Sequence, residues 1–374
     1  MEKSKKADFH IHSKGSFDGY FSIEEIIEKA KKEECEVISI TDHNSVRELN
    51  QFFINKKNIL FRKNGIFIIP GVEVTCKISY IPNYKGNGTK IHLLGYGFSR
   101  EENSPIMRLL KLKERNDKKY DYGTLLLAKK ILGIENSLIQ EKDILEYIEK
   151  ERVIRPGFQT LGKYDVINFL NWKNIKYDMP KNKLIDILSE YSQIERLNLE
   201  ADDIITLIHA SGGLVIMAHP KTNLDRTPHK KEVLNYLVRK EIDGFEYFSK
   251  GAGVTTRIEL EKLKQKNKKL FLTGGSDYHG NEMLANRRIG YSLDQPILVS
   301  NFEDFIKFFF QIQQDINLNN CSTTSIQYNK NSEKANEILK KYEIKNREIN
   351  SRAFRVKSKK NITIKREEEE RCMT

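Results

Sequence analysis

The sequence predicts an α/β fold whose strand–helix rhythm is interrupted by a helical block of about a hundred residues. Three observations predict it. A strand, a helix and a second strand follow one another within residues 7–41, the order of a parallel βαβ unit. Residues 99–198 carry almost only helical periodicity. The alternation of strand and helix then resumes and runs to about residue 299, before a polar, basic end over 300–374. The expected division is therefore a discontinuous α/β domain over 7–98 and 199–299, a helical insertion over 99–198, and a C-terminal helix and flexible tail over 300–374.

Residues 7–13 read as the first strand. Ser22 is a helix N-cap and Glu25 completes a capping box, so Ile23, Ile26, Ile27 and Ala30 form the apolar face of the first helix. Val37–Thr41 is a short β-branched strand ending in Thr41-Asp42-His43. Ser45–Phe53 reads as a helix, Gly65–Pro70 as a buried strand leading into Gly71-Val72-Glu73, Asn83–Gly88 as a turn, and Lys90–Phe98 as a strand carrying His92. The insertion reads as helices over Ile106–Lys119, Leu125–Leu132, Glu141–Glu149, Tyr164–Leu170 and Lys183–Glu190. The helix Glu200–Ala210 stops at Ser211-Gly212-Gly213, which suits a left-handed cap. Strands over Leu214–Met217, Gly244–Phe248 and Leu270–Thr273 alternate with helices over Lys231–Glu241 and Thr255–Asn267. Phe302–Gln313 and Lys334–Lys345 are the last helices expected.

Composition narrows the class. Charged residues make up 31% of the 374 residues, mean hydropathy is −0.58, and no apolar run of about 18 residues exists, so a soluble protein with no membrane partner is expected. The basic start Met1–Lys6 has no apolar stretch behind it and does not read as a secretory signal. Cys35, Cys76, Cys321 and Cys372 lie far apart, as expected of reduced thiols in a cytoplasm. The net charge is +12, and residues 330–374 hold 14 Lys and Arg against 8 Glu. Attraction to a polyanion and a plain compositional bias toward Lys, Asn and Ile both account for this excess.

The chemistry lies at strand ends. His10 and His12 stand two apart on a strand, so both rings reach the same side. Asp18 follows six residues after His12, in Ser16-Phe17-Asp18-Gly19, and His43, Glu73, His92, His219, Asp277 and His279 each lie just past or near the end of an apolar run. Imidazole and carboxylate without thiolate suit Zn, Mn, Fe or Co. Nine such side chains exceed what one ion needs and suffice for two or three if Glu73 bridges. A cluster of that kind favours hydrolysis at a phosphoryl centre.

The motifs His10-x-His12, Asp18-Gly19, Thr41-Asp42-His43, Gly71-Val72-Glu73, Ile91-His92-Leu93-Leu94, Ala218-His219-Pro220 and Gly275-Ser276-Asp277-Tyr278-His279-Gly280 occur in this order. They resemble the PHP (polymerase and histidinol phosphatase) superfamily over roughly residues 7–295. The sequence is most similar to PHP phosphoesterases with a helical insertion, which include exonucleases of short RNA and nucleotide phosphodiesterases. The resemblance implies a distorted (β/α)7 barrel and a site of two or three divalent ions, Mn, Zn or Fe, with Mg as a further option. It implies that His10, His12, Glu73 and Asp277 hold a first ion. It assigns Glu73, His92 and His219 to a second ion, and Asp18, His43 and His279 to a third. A hydroxide bridging two ions would be the nucleophile, Asp277 and His279 would border the reaction, and Arg155 in Ile154-Arg155-Pro156-Gly157-Phe158 would meet a substrate phosphate. A His often follows that arginine in the family, and Pro156-Gly157 stands there in this chain. Asp42 is expected to brace the His43 loop rather than bind metal.

The function expected is hydrolysis of a phosphomonoester or phosphodiester in a nucleotide or short nucleic acid, with the insertion capping the barrel mouth. The alternatives are a histidinol-phosphate-type phosphatase, a non-catalytic nucleic-acid-binding PHP module, and an amidohydrolase-like C–N hydrolase. His209 reads as a structural or surface residue and His229 as a surface residue with substrate contact as the alternative, Tyr247 and Phe248 as core, and Arg287 and Arg288 as solvated, though they follow the Asp277 and His279 loop closely enough to touch a phosphate.

Overall fold

The computed structural model describes residues 5–16, 18–80, 89–134, 138–154, 163–195, 197–224, 229–249, 253–280, 287–292, 295–318 and 332–349. The chain divides into two compact units. The first takes in Met1–Leu110 and Asn198–Ile338, and the second takes in Lys111–Ile154 and Gln159–Leu197 together with the end of the chain from Leu339.

The first unit is built on one mixed sheet. Its strands are β1 (Lys6–Ile11), β2 (Cys35–Ile40), β3 (Phe61–Lys63), β4 (Ile66–Ile78), β5 (Thr89–Tyr96), β6 (Leu214–Met217), β7 (Gly244–Phe248) and β8 (Phe271–Gly274). They lie in the order β1-β2-β4-β5-β6-β7-β8, with β3 paired to β4. Pairs β1–β2, β2–β4, β6–β7 and β7–β8 are parallel. β5 runs antiparallel to both neighbours. The two end strands meet through a parallel bridge between Ile11 and Tyr278 and the His12 N–H donating to the Tyr278 carbonyl at 2.8 Å. The curled, parallel-rich α/β sheet accords with the barrel expected from the sequence.

β4 is longer than its apolar run suggests. It pairs with β2 through Pro70 and with β5 from Gly71 onward. Proline lacks an N–H and is poorly placed inside a ladder. Here it stands at the changeover between partners, so the strand continues through Gly71-Val72-Glu73 to Ile78. Glu73 is thus an interior strand residue, which corrects its expected place at a strand end.

The sheet's inner face has two layers. Ala7, Phe9, Val37, Ile69, Leu94, Tyr96 and Ile216 form a buried cluster with Phe302, Phe305 and Phe309. These phenylalanines belong to or precede the helix Glu303–Asn317, whose rings meet Phe9 edge-to-face at 5.0 and 5.8 Å. Two residues beyond Ile69 and two more along, β4 presents Glu73 on the same face, and two before Leu94, β5 presents His92. In β1 the pairing with β2 shifts between Asp8 and Ile11. Such a bulge reverses the alternation, so the apolar Phe9 is followed by His10 and then His12 on the ligand side.

Helix α1 (Ile23–Lys32) begins with the expected capping box: Glu25 N–H donates to Ser22 Oγ at 3.3 Å and Ser22 N–H to Glu25 Oε2 at 2.8 Å. Ile23, Ile26, Ile27 and Ala30 are buried. Gly212 adopts φ 82 after the helix Ala201–His209, the left-handed stop expected there. The two helices expected from Ile106 to Leu132 are one, Pro105–Ile131, because a single Gly123 costs a helix only about 1 kcal/mol. The helices Glu141–Ile154, Lys163–Trp172 and Lys181–Glu195 follow, with Tyr147 against Phe169 and Trp172 at ring separations of 5.4 Å. Among the described residues no helix is long and apolar enough to cross a membrane. Arg155–Phe158, the Asn83–Gly88 turn and the tail from residue 350 lie outside the described residues.

Arg100 and His209 hold loops in the first unit. The fully buried Arg100 donates to the carbonyls of Leu49, Phe53 and Asn55 at 3.2, 3.3 and 2.8 Å, closing the C-terminus of the helix Arg47–Phe52. Arg100→Met leaves these carbonyls unpaired and is expected to lower unfolding free energy by about 2 kcal/mol, read by urea denaturation. His209 Nε2 lies 2.7 Å from Asp243 Oδ2, which also accepts from Val215 N–H. Burial disfavours the imidazolium, but Asp243 outweighs it and holds the His209 pKa above 6.5. Its stabilisation is present below that pH and fades as pH rises through the raised value. His209→Gln is therefore expected to cost about 1 kcal/mol near pH 6 and less near pH 9, measured by thermal unfolding at both.

Candidate metal centre

Glu73 is the hub. Its carboxylate is fully buried, and five imidazoles converge on it. Oε2 lies 3.2 Å from His10 Nε2, 3.2 Å from His12 Nε2 and 3.1 Å from His43 Nδ1. Oε1 lies 2.7 Å from His92 Nδ1 and 3.0 Å from His219 Nε2. Asp277 Oδ1 stands 3.4 and 3.3 Å from the same His10 and His12 nitrogens. Asp18 Oδ2 lies 3.6 Å from His43 Nε2 and 3.2 Å from His279 Nε2. All nine expected ligand positions are therefore brought together in the first unit.

The strands explain the convergence. The ends of β1, β2, β6 and β8 supply His10 and His12, His43, His219, and Asp277 with His279. β5 runs the other way, so its beginning reaches the same edge and delivers His92. Close approach requires small residues. A Cβ on Gly275 would run into His10 Cβ and the Glu246 carboxylate, so this position admits only glycine without displacement. Asp277 itself holds φ 55, an uncommon left-handed conformation for a side-chain-bearing residue.

Electrostatics follow from this crowding. Burial alone would raise the Glu73 pKa, but His10, His43 and His12 reverse the effect and hold it well below the usual carboxylate range. Burial opposes the His12 imidazolium, yet Asp277 and Glu73 push its pKa up to about 9. Burial, with His12 and His92 nearby, drives His43 down to about 3 despite Glu73 and Asp18. His10 Nε2 and His12 Nε2 approach to 3.1 Å, and the buried His219 Nδ1 has no hydrogen-bond partner.

Three sets of donor atoms lie close enough to share an ion: His10, His12, Glu73 and Asp277; His12, Asp18, His43 and His279; and His43, Glu73 and His92. The first set is the one the resemblance implied. The second adds His12 to the expected third set. The third places His43 beside Glu73 and His92, while His219 contacts the same Glu73 oxygen as His92. Nitrogen and carboxylate oxygen, with no thiolate or amine among the donors, fit a borderline divalent cation.

Further carboxylates orient these donors. Glu246, which sequence reasoning missed, lies 3.1 Å from His10 Nδ1 and accepts the His219 N–H at 2.6 Å. It fixes which nitrogen of His10 faces Glu73. The signal available was a lone acid between Phe245 and Tyr247 in a short strand, since a charge there needs a partner. Asp42 accepts from Ser13 N–H and Oγ–H at 2.6 and 2.7 Å, bracing the turn beside His12 rather than the His43 loop. Asp8 accepts from Ser276 N–H and Oγ–H at 3.0 and 2.6 Å, next to Asp277. Burial raises both, Asp42 to about 7 and Asp8 to about 6.

Other expectations sort as follows. His209 is a structural residue paired with Asp243, and His229 precedes the helix Lys230–Arg239. Phe248 packs against Phe302 at 5.9 Å. Arg288 pairs with Glu33 at 2.8 Å on the surface. Arg287 departs from its expected solvated state: its side chain is mostly buried and its Nη1 lies 2.9 Å from Asp277 Oδ2. The Asp277 carboxylate and carbonyl out-compete water for it. Arg155 lies outside the described residues.

Comparison with known proteins agrees with this architecture. A 5'-3' exoribonuclease of Haemophilus influenzae is 26% identical over 281 residues, covering 74% of this chain and 90% of that protein. A phosphoribosyl 1,2-cyclic phosphate 1,2-diphosphodiesterase of Eggerthella lenta is 24% identical over 286 residues, covering 73% of this chain and 94% of that protein. A crystal structure from Bifidobacterium adolescentis, assigned as a metal-dependent phosphoesterase, superposes with a TM-score of 0.51 at 18% identity. It covers 82% of this chain and 95% of that one, a likeness of fold. The PHP domain model matches residues 8–349, a span that contains every residue of the His, Asp and Glu cluster, and the chain belongs to the PHP domain family.

Proposed function

We infer that this PHP-domain hydrolase cleaves a phosphoester bond in a nucleotide or short nucleic acid, working with two or three divalent ions. The observation that carries the reading is the convergence of five imidazoles on Glu73, with the Asp277 and Asp18 carboxylates against the same group of imidazoles, which supplies several overlapping donor sets at one mouth. The names of the two relatives, an exoribonuclease and a cyclic-phosphate diesterase, support the substrate class. His10, His12, Glu73 and Asp277 would hold one ion, Glu73 with His92 and His219 a second, and Asp18, His43 and His279 a third. Ions of Mn, Zn or Fe there would polarise a phosphoryl oxygen and make water a better nucleophile near neutral pH.

The chain's own groups do the rest. Glu73 keeps both carboxylate oxygens inside a buried ring of imidazoles, where water competes weakly for them. Glu246 orients His10, and the Asp42–Ser13 and Asp8–Ser276 hydrogen bonds fix the turns on either side of the ligands. Residues 7–98 and 199–299 form the PHP region in this reading, and 99–198 is an insertion that contributes to substrate choice. The buried free thiols Cys35 and Cys76 favour a cytoplasmic setting.

Purified protein, loaded with Mn, Zn or Mg and assayed on short RNA and DNA oligomers, a nucleoside 3',5'-bisphosphate, a cyclic-phosphate nucleotide and histidinol phosphate, is expected to cleave one nucleotide class in a chelator-sensitive way. Turnover of histidinol phosphate alone would instead favour the small-molecule phosphatase. His12→Ala and Asp277→Ala should abolish turnover while far-ultraviolet circular dichroism stays unchanged. Glu246→Gln should weaken metal retention by roughly 10–100-fold, and Gly275→Ala by a similar factor, both read by elemental analysis after dialysis against graded chelator.

A further inference from the structure

Arg287 is the one arginine among the described residues whose guanidinium reaches the Asp277 carboxylate. Its side chain is 17% exposed. Among the described residues its polar contacts all run through Nη1. It lies 2.9 Å from Asp277 Oδ2 and 2.7 Å from His279 Nδ1, and it donates to the Asp277 carbonyl. The carboxylate is thereby divided. Oδ1 faces the His10 and His12 nitrogens, and Oδ2 faces Arg287.

Among the described residues the remainder of the guanidinium makes no hydrogen bond. Nε is buried without a hydrogen-bond partner, and among the described residues Nη2 makes none. Nε and Nη2 together form one of the two edges through which arginine grips two oxygens at once. A buried donor left unpaired costs about 1–3 kcal/mol, which an anion can recover. Phosphate offers oxygen pairs at the matching spacing, and a phosphoester reacting beside Asp277 brings its phosphate to this residue.

We propose that Arg287 is the phosphate-reading residue of this centre, anchored through Nη1 on the Asp277 carboxylate and carbonyl and using its Nε–Nη2 edge to grip the non-bridging oxygens of the substrate phosphate. The inference rests on the phosphoesterase reading and names the residue that selects an anionic phosphoryl group. It differs from the sequence expectation, which gave that task to Arg155. Arg288, one residue on, serves as the neighbouring control, since its guanidinium is engaged with Glu33 at the surface.

The test uses metal-loaded full-length protein and inorganic phosphate as the probe, with binding followed by titration calorimetry and metal content by elemental analysis. Arg287→Gln is expected to weaken phosphate binding at least tenfold and to raise KM for the cleaved substrate more than it lowers kcat, with metal content unchanged. Arg287→Lys should recover charge but not the two-oxygen grip, and so restore only part of the affinity. Arg288→Gln should bind phosphate as the wild type does. Equal phosphate affinity in wild type and Arg287→Gln overturns the proposal while leaving the phosphoesterase reading intact. Loss of metal together with phosphate in Arg287→Gln overturns it too, because the arginine then acts only by holding Asp277. A wild type that neither binds phosphate nor cleaves any phosphoester removes the broader reading as well.

Discussion

The structure turns on a single buried carboxylate. Glu73 lies in the interior of a strand, on the inner face of the sheet, and among the described residues it pairs with imidazoles and with no lysine or arginine. An isolated carboxylate in such a place is strongly disfavoured. Five imidazoles from β1, β5 and the ends of β2 and β6 make it tolerable. These are neighbouring strands of one curled sheet, so the curl of the sheet and the assembly of the donor set go together. The apolar layer beneath, with the phenylalanines of the helix Glu303–Asn317, supplies the burial that makes the curled arrangement stable.

Around that hub the supporting carboxylates work in a repeated way. Asp42 and Asp8 each take the backbone N–H and hydroxyl of one serine, Ser13 and Ser276, and each serine adjoins a ligand. Glu246 does the same task for a ring nitrogen and the backbone of His219. Fixed turns and fixed tautomers hold donor atoms in place before any cation arrives, which lowers the reorganisation that binding would otherwise demand.

Much of this was legible in the chain. His10 and His12 announce themselves through strand parity, and the capping box of Ser22 and Glu25 is a local pattern that local physics enforces. The ligand positions other than Asp18 could be named because each adjoins a recognisable apolar run. What escaped was set by distant partners. Pro70 looks like a strand terminus until β2 and β5 are seen to exchange places beside it. Asp42 was placed on the wrong loop because Ser13 is far from it in sequence. Glu246 shows in the chain only as a lone acid between two aromatics, and Arg287 only as a cation a few residues past His279; their partners His10 and Asp277 appear with the fold.

The shifted pairing in β1 has a consequence for how this chain can vary. Phe9 serves the apolar layer and His10 the ligand layer only because one extra residue lies between the paired positions Asp8 and Ile11. Deleting a single residue there would rotate every later side chain of the strand by half a turn, exchanging His10 and His12 for their apolar and hydroxyl-bearing neighbours. The composition of the strand would barely change. Insertions and deletions in β1 are thus a separate hazard from substitutions, and the length of this segment, more than the identity of its apolar residues, is what selection must hold constant.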